Sequence, residues 1–345
     1  MEKIKLMIWM QHTQYLVNEL RKIEYLEVDV LEGEGFDDDE LEGILVPPER
    51  AKEVDVLFCT QPFANMDAFK NLKYIQISTT GYAQLYGLGL SDRGIRCCNG
   101  RGEFDTPIGE WCLTMMVNLN RDFRSMIRNQ EAGLWDRPAR FQTELRGRRV
   151  GFFGYGSLAR ESARLAQAVG MEVIAFDRER IDFTLKNYYV VPGTGDLKAE
   201  IPSEFYYPGQ EIEFCKNLKF FITAMPLTPK TKGIVNEKIL RALPIGAFVL
   251  NFARGPLIEE QALLSVLRDG HIGGAALDAH YSYPMPADHP LWRFPNVIMT
   301  PHISGSSLSE NFLPRIYDIL NQNIHRYMAG QPLLNELTPE QLRGE

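Results

Sequence analysis

Long apolar runs are missing from this 345-residue chain. No segment reaches the roughly 18 consecutive apolar residues that a membrane-spanning helix requires. The opening Met1-Glu-Lys-Ile-Lys-Leu-Met-Ile-Trp9 has too short an apolar stretch for a signal peptide, so a cytoplasmic protein without membrane association is expected. Blocks of basic residues are also lacking. With 37 Lys and Arg against 45 Asp and Glu, the net charge of -8 offers no general attraction to nucleic acid or an anionic bilayer. Cysteine is scarce, and Cys59, Cys97, Cys98, Cys112 and Cys215 carry no metal-ligand spacing. An odd count in mostly apolar surroundings points to reduced, buried thiols. The histidines show no paired spacing either, and no metal is expected. Repeats are absent, and the one biased tract, Asp37-Asp-Asp-Glu40, is expected to be solvated surface.

What remains is an ordinary globular composition, 45% hydrophobic and 24% charged, on a chain long enough for two domains. Apolar strands are expected at 5–9, 54–59 and 72–77, with helices at 12–21 and 66–69, an α/β alternation that favours a parallel sheet. The third strand runs into Ser78-Thr-Thr-Gly81-Tyr82, which is either a plain glycine turn or a substrate contact at a strand's carboxyl end. A long apolar helix is expected over 106–121, with Pro107 tolerated in its first turn. The charged stretch 122–149 carries Trp135 and Phe141, either an arm over a neighbouring subunit or local caps on a core.

Val150-Gly-Phe-Phe-Gly-Tyr-Gly-Ser-Leu-Ala159 organises the centre of the chain. It combines a strand, a glycine turn and a helix start, and the next strand ends at Asp177, 21 positions beyond Gly156. Gly154 and Gly156 let a pyrophosphate approach the amides of Ser157 and Leu158, Ala159 allows close helix packing, and Asp177 would accept ribose hydroxyls. That acid favours NAD, whereas Arg178 and Arg180 would suit a 2'-phosphate; NAD is expected over NADP. Residues 184–210 are expected to be irregular. Strands at 218–224, 247–252, 274–277 and 297–300 and helices at 236–243, 259–269 and 310–328 follow, the last returning to the first domain.

Polar residues at strand ends carry the chemistry of such sheets. Arg254, between Phe-Val-Leu-Asn-Phe and a glycine, could grip a carboxylate and polarise a carbonyl, or form a structural ion pair. His302 follows the last strand; it could move a proton to a carbonyl as hydride arrives, or be a satisfied core histidine.

The ordered set of 145–177, Pro226-Leu-Thr-Pro229, Asn251-Phe-Ala-Arg-Gly255, Gly274-Ala-Ala-Leu-Asp278, Ala287-Asp-His-Pro-Leu-Trp292 and Pro295-Asn-Val-Ile-Met-Thr-Pro-His-Ile-Ser-Gly305 resembles the D-isomer-specific 2-hydroxyacid dehydrogenases. The resemblance spans about residues 50 to 337. It implies two Rossmann-like doubly wound domains, usually in a homodimer: a flavodoxin-like substrate domain, 1–103 and 302–345, split around an inserted NAD-binding Rossmann domain, 104–301. By the resemblance, Arg254 binds and polarises a 2-oxo acid, His302 is the acid/base, and the amides around Gly81 and Tyr82 hold the substrate carboxylate. Thr80, Gly154, Gly156, Ser157, Leu158, Asp177, Met225, Phe252, Ala253, Asp278 and Gly305 fall at cofactor positions, Asp278 meeting the nicotinamide carboxamide.

Two positions depart. The family pairs its histidine with a glutamate before a proline, and the register puts Tyr283, before Pro284, in that place; His280, Tyr281 and Asp288 are the nearby substitutes. Ala83 stands where an aspartate is usual. The leading expectation is NAD(H)-dependent interconversion of a D-2-hydroxy acid and a 2-oxo acid. A neutral partner for His302 also suits oxidation of a formate-like or phosphite-like donor, although Thr80 replaces the lysine of the phosphite branch. An NADH-sensing corepressor with little turnover is the reading from outside the enzymes.

Overall fold

A computed structural model describes residues 3–31, 43–178 and 187–344; Asp37-Asp-Asp-Glu40 and Arg180 lie outside these residues. The chain divides into two compact units, one formed by Met1–Glu103, Lys186–Tyr189 and Leu308–Glu345, the other by Phe104–Leu185 and Val190–Ser307.

The first unit is built on a wholly parallel five-stranded sheet in the order β2-β1-β3-β4-β5, with β1 Ile4–Trp9, β2 Leu26–Val30, β3 Val56–Cys59, β4 Tyr74–Ile77 and β5 Arg96–Cys98. Every residue of β3 and β4 is buried, as a parallel sheet covered on both faces demands. The edge strands β2, Leu-Glu-Val-Asp-Val, and β5, Arg-Cys-Cys, escape the sequence pattern because they are short and carry the charges that protect an exposed edge. Helix Phe312–Met328 belongs to this unit and is locked to its core by a buried amide pair. Asn323 donates to Gln76 Oε1 at 3.1 Å and accepts the Leu334 N–H at 2.7 Å.

The second unit has a seven-stranded parallel sheet ordered β8-β7-β6-β9-β10-β11-β12. Its strands are β6 Arg149–Phe153, β7 Glu172–Phe176, β8 Glu204–Tyr206, β9 Phe220–Thr223, β10 Phe248–Asn251, β11 Gly274–Leu277 and β12 Val297–Met299. Strand order reverses at β6, which pairs with β7 on one side and β9 on the other, so the crevice of a doubly wound sheet opens above the β6 and β9 ends. Helices Asp105–Asn120 and Ser157–Ala168 pack closely at Gly109, where a methyl group would come within 3.0 Å of the Glu161 side chain.

One expectation is corrected, and the stretch 122–149, left open from sequence, is resolved into its parts. Part of the segment expected to be irregular, 184–210, is ordered as β8, which pairs Glu204–Tyr206 with Ile174–Phe176. The charged stretch after residue 121 contains helix Phe123–Glu131, whose apolar residues are too few to show a buried face. Of the two readings of its aromatics, Phe141, 6% exposed, fits a local cap on a core, whereas Trp135 is 92% exposed. All five cysteines are free and buried, and burial pushes the Cys97 and Cys215 thiols up to about 12. Among the described residues no helix is long and apolar enough to cross a membrane.

Candidate active site

The glycine turn after β6 depends on its lack of side chains. Gly154 has φ 104°, in the left-handed region, and a methyl group there would lie 2.7 Å from the Ala224 carbonyl oxygen at the end of β9. Gly156 faces open space on its Cβ side and caps helix Ser157–Ala168, whose first amides are the natural partners of a phosphate. Ser157 is buried and Ala159 fully so. Asp177 follows β7 and accepts the Tyr155 N–H at 3.3 Å and the Arg178 N–H at 2.7 Å. Burial raises its pKa while those two amides oppose the rise.

Sequence spacing did not show how this turn is braced. Tyr155, the variable residue between the glycines, donates its hydroxyl to Asp196 at 2.8 Å. The same carboxylate accepts the Glu200 and Ile201 amides, while the buried Arg160 guanidinium stacks over the Tyr155 ring at 5.3 Å. No local pattern links positions 155 and 196.

Beyond β10, Asn251 shapes the chain by donating to the Arg254 carbonyl at 2.9 Å and accepting the Ala253 N–H at 3.0 Å. Arg254 is half-buried and donates to the Ala253 carbonyl at 2.7 Å. Among the described residues it forms no ion pair, so the structural salt bridge considered from sequence is not what holds it. Gly255 is pressed against the next loop, with a Cβ placed only 2.2 Å from the His280 carbonyl oxygen. Gly255→Ala is therefore expected to lower stability by about 1–3 kcal/mol through overpacking, read as a drop in Tm.

Asp278, fully buried at the end of β11, organises the loop after β12. It accepts the Thr300 hydroxyl at 2.5 Å and the Ile303 and Ser304 amides at 3.0 Å each. Trp111 Nε1 donates to the same Thr300 hydroxyl at 3.1 Å. This clasp keeps residues 302–307 with the nucleotide unit, so the chain leaves that unit after Ser307 and not after residue 301 as expected. Sequence reasoning missed Trp111 and Thr300 because their partners lie far away in the chain, and passed over Asn251, whose bonds to Ala253 and Arg254 are local.

His302 is exposed and adopts φ 57°, an unusual backbone for a residue other than glycine, with its N–H bound to the Thr300 carbonyl at 2.9 Å. The Tyr283 ring lies 5.3 Å from the imidazole, centroid to centroid, at 43°. The Tyr283 hydroxyl accepts the His280 backbone N–H at 3.0 Å, which fixes the phenol's position. His280 itself is buried, with Nε2 2.7 Å from the Thr300 carbonyl. Tyr281 packs on the core and Asp288 is exposed, so of the residues near position 283 it is Tyr283 whose ring lies, tilted, beside His302.

Thr80, Gly81 and Tyr82 belong to the first unit. There, Thr79 donates to the Gly81 carbonyl at 2.7 Å and receives the Gln84 amide at 2.8 Å, while Asn99 holds the Thr80 carbonyl at 2.7 Å. The Thr80 hydroxyl is buried without a hydrogen-bond partner among the described residues. Ala83 opens a short 3-10 turn, Ala83–Leu85.

Residues 113–304 match the family model described as D-isomer specific 2-hydroxyacid dehydrogenase, NAD binding domain. The chain belongs to this family. The glyoxylate/hydroxypyruvate reductase A of Salmonella heidelberg is 30% identical over 68% of this chain and 69% of its own. The glyoxylate reductase of Thermofilum pendens is 27% identical over 77% of this chain and 75% of that one. Among solved structures, the D-isomer specific 2-hydroxyacid dehydrogenase from Xanthobacter autotrophicus Py2, in complex with NADPH and MES, superposes with a TM-score of 0.77 at 23% identity, covering 99% of this chain and 100% of that one. This likeness supports the two Rossmann-type α/β sheets. As a D-isomer-specific 2-hydroxyacid dehydrogenase the chain is an oxidoreductase with a nucleotide-binding unit. The glycine turn, the open face of Gly156 and Asp177 fit a dinucleotide.

Proposed function

We propose that this dehydrogenase interconverts a D-2-hydroxy acid and a 2-oxo acid with NAD(H). The observation that carries the reading is the half-buried Arg254, unpaired among the described residues, at a strand end of the sheet whose last loop presents His302. The bound nicotinamide cofactor supplies or accepts a hydride at the substrate's C2. Gly154, Gly156, Ser157 and Leu158 would receive its pyrophosphate, and Asp177 its adenosine ribose. We assign Thr80, Met225, Phe252, Ala253, Asp278 and Gly305 to the cofactor as well, and the Gly81 and Tyr82 amides to the substrate carboxylate.

Arg254 binds the 2-oxo acid and draws charge toward the carbonyl oxygen, stabilising the developing alkoxide. His302 Nδ1 or Nε2 delivers a proton to that oxygen in reduction and removes it in oxidation. Tyr283 holds the imidazole face without adding negative charge. Asp177, fixed by the Tyr155 and Arg178 amides, supports NAD(H) over the phosphorylated cofactor, whose 2'-phosphate would meet a carboxylate. The exposed Phe123, Ile127, Leu134 and Trp135 support a homodimer.

Absorbance assays with NADH or NADPH and a panel including glyoxylate and hydroxypyruvate test this function. Turnover with a 2-oxo acid, faster with NADH, is expected; confirmed NADH binding with no turnover of any acid would sink it. The neutral Tyr283 favours a second reading, oxidation of formate or phosphite, and reduction of NAD by either donor alone would select it.

Tyr283→Glu provides a separate check on the proton step. A carboxylate beside an imidazole favours its protonated form, which reduction needs. The alkaline limb of kcat/KM against pH should move up by about 1 unit or more. An unmoved limb would show that position 283 does not govern the proton on His302.

A further inference from the structure

The amino ends of the strands in the second unit, opposite the loops that carry Arg254 and His302, wall a cavity of about 380 Å³. Its charge is lopsided. Arg124, Arg140, Arg148 and Lys219 line it, against one carboxylate, Asp122. Arg140 is paired with Asp136 at 2.6 Å and approaches Asp122 at 3.8 Å. Among the described residues the other three cations form no ion pair.

Two of these, Arg124 and Lys219, are fixed in place. Arg124 Nη1 donates to the Phe294 and Val297 carbonyls. Lys219 Nζ donates to the Gly246 carbonyl at 2.7 Å and sits 4.2 Å from the Phe248 ring centroid. Burial, followed by the charge of Arg148, pulls the Lys219 pKa down, and burial does the same to Arg124. Partly buried cations that no carboxylate compensates are costly, and a bound anion removes that cost.

A second observation comes from the wall. Asn120, 6% exposed, lines the cavity with a buried side-chain amide, Nδ2, that has no hydrogen-bond partner among the described residues. Buried amide donors are nearly always satisfied, so this one marks a position where an acceptor binds. Arg140 and Arg148 are exposed, which places flexible guanidinium groups at the mouth and fixed donors deeper in.

We propose that this cavity is a second ligand site, separate from the nucleotide crevice, which binds a small oxyanion carrying two or more negative charges. A phosphate ester and a polycarboxylate share that chemistry. Arg148 and Arg140 take the outer charge, while Arg124, Lys219 and the Asn120 amide take the inner oxygens. One face of the sheet would then sense an anion at its amino edge while the opposite edge holds the dinucleotide.

Calorimetric titration of the full chain with pyrophosphate and, separately, with citrate tests the site, with NADH saturating throughout so that the nucleotide crevice is filled. One equivalent of pyrophosphate or citrate per chain is expected, and whichever binds tighter identifies the phosphate or carboxylate class. The Arg140→Ala/Arg148→Ala double variant changes only exposed side chains; it should bind at least tenfold more weakly while its NADH affinity stays unchanged. Arg178→Ala, beside the dinucleotide turn, should leave anion binding as it is. No heat with either anion in the presence of NADH, or wild-type affinity in the double variant, overturns the proposal.

Discussion

His302→Asn is expected to reduce kcat for 2-oxo acid reduction by about 10²–10⁴-fold, the range for loss of a positioned general acid. Asparagine is the informative replacement because His302 sits at φ 57°, where alanine would strain the backbone and asparagine is tolerated. The amide cannot release a proton near neutral pH, so chemistry is lost without loss of the loop. Asp278 holds that loop through the Ile303 and Ser304 amides and makes no use of the imidazole, so the fold should survive the change. Fluorescence titration should show NADH affinity within about twofold of the parent, and the pH dependence assigned to this group should disappear from kcat/KM. Retained turnover with an unchanged pH profile would remove His302 from the mechanism and leave a water or another side chain as the proton source.

Arg254→Gln should lower kcat/KM by about 10²–10³-fold, the usual loss when a preorganised charge-stabilising donor is removed. Glutamine keeps an N–H donor of similar reach but neither the charge nor the fork that matches a carboxylate. The Asn251 side chain shapes the backbone around it through two bonds and the guanidinium adds one, to the Ala253 carbonyl, so most of the damage falls on substrate and transition state. Arg254→Lys should recover only part of the loss, because an ammonium cannot bind bidentately. If kcat stays constant and KM alone rises, Arg254 binds the acid without polarising it, and the proposed division of labour fails. Steady-state kinetics against substrate concentration separates the two results.

Much of this architecture is legible because parallel strands buried on both faces leave largely apolar runs, as β3, β9 and β10 do and as β4 does around the single polar Gln76. The glycine turn is legible for a related reason: its backbone conformation admits few residue types, so chemistry and spacing coincide at Gly154. Edge strands obey a weaker constraint. β2, β5 and β8 have one neighbour each and carry charges, so their composition resembles that of loops. Tertiary braces were not legible at all. Nothing near Asp278 announces Thr300 or Trp111, and nothing near Tyr155 announces Asp196, because hydrogen bonds across the sheet leave no period in the sequence. Tyr283 lies between these cases. The register identified the position, but only the fold brings its hydroxyl to the His280 backbone N–H and its ring beside His302.

The helix that returns to the first unit imposes an order on biosynthesis. During translation all of the strands β1 to β5 emerge before residue 104, yet Phe58 and Tyr74 find their ring partners, Tyr317 and Tyr327, only when helix Phe312–Met328 leaves the ribosome. The buried Gln76 must likewise await Asn323. Between those events the whole nucleotide unit, ending at Ser307, has been synthesised and can close its own sheet. The inserted unit is thus fully synthesised before the earlier-made sheet has the helix that covers its apolar surface. That interval is when a nascent chain is most exposed to association with its neighbours.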